Sequence, residues 1–194
     1  MSEPTEAEKI RRLNWRLAHN GANTIFVQLT FFGSLYILFL SELGLPKARI
    51  GFLLSLVPLC GVVSLVLASP VARAGVKRVF IVCWALRSID AGFLLLTPWI
   101  LSRFGAETTF YYIILLIIVF AFCRAVGETG AVSWEQEVIP ARRRGKFRGI
   151  STIVETLAAV FAIAVASLAL RHIADLHRFI VPMGIGAAFG LLSV

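Results

Sequence analysis

Runs of apolar residues, separated by short polar or charged connectors, make up most of the chain. They cover 23–42, 50–69, 79–101, 109–131, 149–170 and 179–194. Each is near the roughly 20 residues that a helix needs to cross a hydrocarbon core of about 30 Å. The connectors have physical causes. Gly44-Leu45-Pro46-Lys47 ends the first run, and Pro70, followed by Arg73, Gly75, Lys77 and Arg78, ends the second. Arg103 to Glu107 closes the third, Pro140 to Arg148 the fourth and Arg171 to Arg178 the fifth. The pattern predicts an all-α, polytopic transmembrane bundle of six spans over 23–194, preceded by a cytoplasmic segment over 1–22. In that segment Thr5-Glu6-Ala7-Glu8 fits a capping box, and Ile10, Leu13 and Leu17 recur at helical spacing. Trp15 falls off that face. The segment is therefore read either as a solvated tail or as a short helix on the bilayer surface.

Composition strengthens the membrane reading. Of 194 residues 58% are hydrophobic and 15% charged, where a soluble domain averages about 45–50% and 25%. The mean hydropathy is +0.85. A formal net charge of +8 in a soluble protein would suggest nucleic acid. Here the basic residues sit in connectors between apolar runs, so the partner is the lipid bilayer and no nucleic acid is expected. Cys60, Cys83 and Cys123 all lie in apolar runs and read as small hydrophobes. Residues 1–20 lack the basic-then-apolar order of a cleavable signal peptide.

Charge also predicts orientation. One set of connectors carries Lys9, Arg11, Arg12 and Arg16, then Arg73, Lys77 and Arg78, then Arg142, Arg143, Arg144, Lys146 and Arg148. The opposite set carries only Lys47, Arg49, Arg103, Arg171 and Arg178. Positive charge is retained on the cytoplasmic side, which puts the N-terminus inside a multi-pass plasma or inner-membrane protein. The sequence stops at Val194, straight after an apolar run, and is expected to break off in or after the sixth span.

Charges within the runs carry the candidate chemistry, because a charge at the bilayer centre costs about 2.5–3.5 kcal/mol on insertion scales. Arg87 and Asp90 are three residues apart, and Arg124 and Glu128 four apart, so each pair shares a helix face. Helical rise puts Arg87, Arg124 and Glu155 at similar depths. Arg87, Asp90 and Glu155 form a candidate intramembrane charge network, with structural ion pairing as the alternative to function. Asn20, Asn23, Thr24, Gln28, Thr30 and Ser34 make the first run and its entrance polar along much of their length. That stripe reads equally as a cavity lining or as helix-packing contacts. Gly186 and Gly190, at small-xxx-small spacing, point to close helix packing.

The connector after the fourth run has the spacing Glu137-x-x-Pro140-x-x-x-Arg144-Gly145. It resembles the end of helix 4 and the following loop in major facilitator superfamily transporters. Arg124, Gly130 and Ala131 match part of that family's helix 4 motif, while Gly127 and Glu128 replace its Gln and Gly. Between runs two and three, Arg73, Gly75, Lys77 and Arg78 resemble the family's loop 2–3 motif, with one inserted residue and with alanine at the first Gly and the Asp. The Gly-Pro-rich helix 5 motif of drug–proton antiporters is missing, since 157–170 holds neither residue.

The resemblance implies the N-terminal half of a two-bundle, alternating-access secondary transporter. It would move a small solute, with a proton or sodium ion as possible coupling partner. In the family helices 1 and 4 line the central cavity, which makes Arg124 and Glu128 candidates for substrate or proton coupling, with a structural ion-pair network as the alternative. Asn23 and Gln28 of the polar stripe join them as candidates. The resemblance assigns Arg73, Gly75, Glu137, Pro140, Arg144 and Gly145 to a cytoplasmic gate; a basic loop obeying charge bias is the plainer account of the same residues. The half would need its C-terminal partner or a second copy of itself. The rival is a six-span interaction or assembly protein without transport. No nucleophile, phosphate-binding or dinucleotide pattern appears, and His172, Asp175 and His177 lack zinc-ligand spacing. No enzyme, cofactor or metal site is therefore expected.

Overall fold

A computed structural model describes residues 6–139 and 144–194, giving the backbone alone for 6–12, 65 and 130–138. Among the described residues the secondary structure is entirely helical. In order these are α1 (Glu6–Leu29), α2 (Ser34–Glu42), α3 (Lys47–Gly61), α4 (Val63–Ala74), α5 (Val76–Phe93), α6 (Thr97–Val138), α7 (Arg144–His172) and α8 (His177–Leu192), with one 3₁₀ turn at Leu94–Leu96.

The first apolar run is not one helix. α1 begins well before it, at Glu6, so residues 6–22 continue straight into the apolar segment instead of forming a separate tail. It stops at Leu29, and α2 starts only at Ser34. At the break the Phe32 N–H donates to the Val27 carbonyl at 3.2 Å, one residue further back than an α-helix allows. A Cβ on Gly33 would overlap the carbonyl oxygen of Gln28, so this approach of backbone to backbone needs glycine.

The second run is bent as well. Lys47–Gly61 and Val66–Ala74 lie at 61° to each other, just beyond Pro58, which has no N–H to give the preceding turn. Pro70, expected to end this run, lies inside α4 instead. Pro70 is exposed, and the one backbone hydrogen bond it removes does not end the helix. The terminator is Gly75, whose φ of 91° no other residue adopts cheaply.

The third and fourth runs follow one another as a single helical stretch, Val76–Thr129, of 54 residues. A straight helix of that length would be roughly 80 Å long. It reverses instead at Gly105, where φ is 79° and ψ is 176°. The two arms then pack antiparallel. Gly127 abuts Trp84 far from the turn, while nearer to it the Tyr112 hydroxyl donates to the Phe93 carbonyl at 2.7 Å. By length and composition Leu13–Glu42, Val76–Thr129 and Arg144–His172 are apolar enough to cross a membrane, and the bent α3–α4 pair adds a fourth such segment.

α1 packs on α7 and α8, α6 gathers α3, α4 and α5, and α5 reaches α8. The main core centres on Phe26, Phe31, Phe39, Leu53, Ile117, Phe120 and Met183. Gly186 and Gly190 of α8 lie against α1: a Cβ on Gly190 would come within 2.5 Å of Phe26, and one on Gly186 within 2.8 Å of Leu29. The small-xxx-small spacing therefore serves helix packing. Cys83 and Cys123 are buried and Cys60 half-buried, all as free thiols. At one end of the bundle Arg49 meets Glu107 at 2.8 Å and Arg178 meets Glu42 at 2.7 Å. Both pairs are solvent-exposed and add little stability.

Candidate functional site

The polar side chains of the apolar segments collect around α1 and its break. Arg87 of α5 is 1% exposed. Its Nη2 donates to Asn23 Oδ1 of α1 at 2.5 Å. Its guanidinium lies 4.1 Å from the Trp84 ring centre, 4.8 Å from Phe26 and 5.6 Å from Phe120. Trp84 in turn stacks on Phe80 at 4.1 Å, and Arg16 covers Phe80 at 5.8 Å. The result is a file of cation, ring, ring, cation along one side of α5. A buried guanidinium without an acid is tolerable because ring quadrupoles attract it and Asn23 takes one of its donors. Its Nε has no hydrogen-bond partner among the described residues.

The expected network of Arg87, Asp90 and Glu155 does not form. Arg87 turns to α1 and makes no ion pair with Asp90 among the described residues. Glu155 of α7 belongs to a different contact, where it accepts from Ser151 Oγ at 2.6 Å and from Asn20 Nδ2 at 3.4 Å. Asn20 also donates to Ser151 at 2.7 Å. Asn20 and Asn23 are three apart on α1, so α1 stands between the two groups and holds one with each amide. This half of the polar stripe binds helices together. Gln28, at the end of α1, is half-buried beside the break.

Arg124 and Glu128 form the ion pair that their spacing predicts. Nε meets Oε1 at 2.9 Å, with side chains 37% and 49% exposed. The Arg124 guanidinium lies 4.8 Å from the ring centre of Phe32, a residue of the break. Phe31, its neighbour, packs 4.2 Å from Phe120, one turn before Arg124. The exposed charges of α6 thus sit directly beside the interruption of the first segment.

The gate candidates are only partly described. Arg73 and Gly75 are exposed at the α4–α5 junction, and Gly145 is exposed in the first turn of α7. Arg144 Nε donates to the Ile139 carbonyl at 3.2 Å, a cation closing the C-terminal end of α6. The side chain of Glu137 and all of Pro140, Arg142 and Arg143 lie outside the described residues. Three features were missed in the sequence: the Trp84–Phe26–Phe120 cage, the Asn20–Ser151–Glu155 contact and the break at Gly33. A glycine inside an apolar run was a signal for the break, and Trp84 one turn from Arg87 was a signal for the cage. The partners on other helices left no trace in sequence spacing. Among the described residues no group of three or more His, Cys, Asp or Glu side chains is placed to hold a metal ion.

No family model and no curated protein matches the chain in sequence. Its fold is that of solved bacterial transporters. The whole chain superposes on 48% of a bacterial metal transporter, with a TM-score of 0.75 at 19% identity. It superposes equally on 47% of a bacterial homologue of the iron transporter ferroportin in its outward-facing state, with a TM-score of 0.74 at 21% identity. The chain thus spans about half the length of either neighbour. Apolar helices long enough to cross a membrane, arranged in this fold, make the chain an integral membrane protein.

Proposed function

We propose that this chain is the N-terminal, six-span half of an alternating-access secondary transporter of the major facilitator type. The bundle rocks against a second bundle around a site near the bilayer midplane. The observation that carries this reading is the Arg124–Glu128 pair. Two charges inside an apolar segment, left exposed beside a broken helix, require a water-filled cavity or another protein surface, because hydrocarbon does not tolerate them. A transport cavity between two halves supplies both. The full-length superposition on half of each neighbour supports the same arrangement, and the distribution of basic residues supports a cytoplasmic N-terminus.

The solute is small and polar. Metal cations come first because one neighbour is a metal transporter and the other a homologue of an iron transporter. On this reading the donors that complete a metal site come from the opposite bundle. Reconstitution of the intact protein into liposomes, with ferrous iron offered under imposed proton or sodium gradients, tests the reading. Gradient-dependent uptake that disappears in Arg124→Ala supports it. Absence of gradient-driven uptake for metal cations and for small anions alike leaves the interaction-protein reading in its place.

A further inference from the structure

Glu155 of α7 is an acid inside an apolar run, 149–170, and among the described residues no basic side chain comes within ion-pair distance of it. One carboxylate oxygen, Oε1, accepts from the Ser151 hydroxyl at 2.6 Å and from the Asn20 amide of α1 at 3.4 Å. Ser151 is 1% exposed and is itself held by Asn20 at 2.7 Å. The helices are close here: a Cβ on Gly21 of α1 would come within 3.1 Å of Val154, the residue before Glu155. Glu155 is half-buried, and its other oxygen, Oε2, has neither a hydrogen-bond partner nor full enclosure among the described residues. That oxygen therefore reaches the bundle surface.

The surrounding cations are placed elsewhere. On α7 itself Arg144, Lys146 and Arg148 precede the apolar run, and Arg171 and His172 follow it; Arg148 is seven residues, roughly 10 Å of helical rise, from Glu155. On α1, Arg16 lies over the Phe80 ring of α5, and His19 meets the Ser193 carbonyl. On α8, which also packs on α7, the charged groups are His177 and Arg178 at its start, and Arg178 pairs with Glu42. A carboxylate that meets only neutral donors inside a membrane is disfavoured as an anion. A proton on Oε2 removes the charge and disturbs nothing else, because Oε1 stays an acceptor for Ser151 and Asn20. The proton comes from water and returns to water, and no other bond is made or broken. We infer that Glu155 is a proton-binding site at the α1–α7 contact, aimed by Ser151 and Asn20. It loads and unloads without repacking the two helices, so only the charge at the bundle surface changes. The site does not rest on the transport reading; where that reading holds, this proton is the coupling ion.

Dicyclohexylcarbodiimide tests the site on the intact protein in lipid vesicles, without any solute. This apolar reagent adds to a protonated carboxyl and leaves an N-acylurea that mass spectrometry locates. The expected result is label at Glu155 that rises as pH falls and exceeds several-fold that at Glu128, which also lies in an apolar run but is paired with Arg124. That reading needs no variant. Ser151→Ala keeps the acid and removes a hydroxyl that favours its anion, so labelling should persist to higher pH. An unlabelled Glu155, or labelling equal to that of Glu128 at every pH, overturns the inference. So does a pH profile that Ser151→Ala leaves unmoved. A labelled Glu155 in a protein that takes up nothing sinks the transport reading and leaves the proton site standing. Proton-driven uptake with Glu155 unlabelled does the reverse.

Discussion

Arg87 and Asn23 meet at 2.5 Å across the α5–α1 interface, inside a cage of Trp84, Phe26 and Phe120. The cation is held by rings and one amide, where sequence spacing had offered Asp90 as its partner. Truncation of Arg87 to Ala leaves a large hole among the rings and should cost about 2–5 kcal/mol. Met fills much of that volume and removes a buried charge, so Arg87→Met should cost distinctly less. Thermal unfolding of the two variants in lipid checks the order. A larger loss in the Met variant would show that the charge itself holds the cage together.

Arg124→Ala separates function from stability. Its ion pair with Glu128 is solvent-exposed, and such pairs contribute about 0–1 kcal/mol. Expression, insertion and melting temperature should stay close to those of the unaltered protein while uptake is lost. Normal uptake by Arg124→Ala removes the central support of the transport proposal.

The glycines at the α8–α1 contact predict a steric effect. Gly190→Ala puts a methyl group within 2.5 Å of Phe26, in a core that cannot give way cheaply. Overpacking of this kind costs about 1–3 kcal/mol. Gly184→Ala is the control, because there the nearest atom lies 3.8 Å away. Melting temperatures should fall for Gly190→Ala and barely move for Gly184→Ala.

Asn20 tests the two readings of the polar stripe. Its amide donates to Ser151 and reaches Glu155 on α7, and interhelical hydrogen bonds of this kind average about 0.6 kcal/mol. Asn20→Ala should therefore lower stability slightly and leave the apparent affinity for solute unchanged. A large shift in apparent affinity, with stability intact, would assign Asn20 to the cavity.

Much of the fold was legible in the chain because hydrophobic run length answers directly to bilayer thickness. The turn at Gly105 and the Arg124–Glu128 pair followed from local spacing, and both are in the structure. Interruptions inside the apolar runs were harder to read. Pro70 looked like a terminator but lies within α4, and the helix ends five residues later at Gly75, where the backbone takes a positive φ. Gly33 broke a run that hydropathy alone presented as continuous. The partners of Arg87 and Glu155 depend on which face of α1 meets which neighbour, and local spacing does not specify that. The charge network predicted from depth failed for that reason: equal depth does not put side chains on facing surfaces.

Gly75 alone connects α4 to α5, at a φ of 91°. A longer loop would act as a slack tether and absorb small displacements of either helix. A one-residue joint has no length to spare, so a displacement of that end of α4 must be taken up by rotation at Gly75 or by a shift of α5. α5 carries the guanidinium that grips α1. The exposed corner at Arg73 and the aromatic cage are therefore joined by one glycine and a single helix, and a displacement at the first that Gly75 does not absorb is carried toward the second.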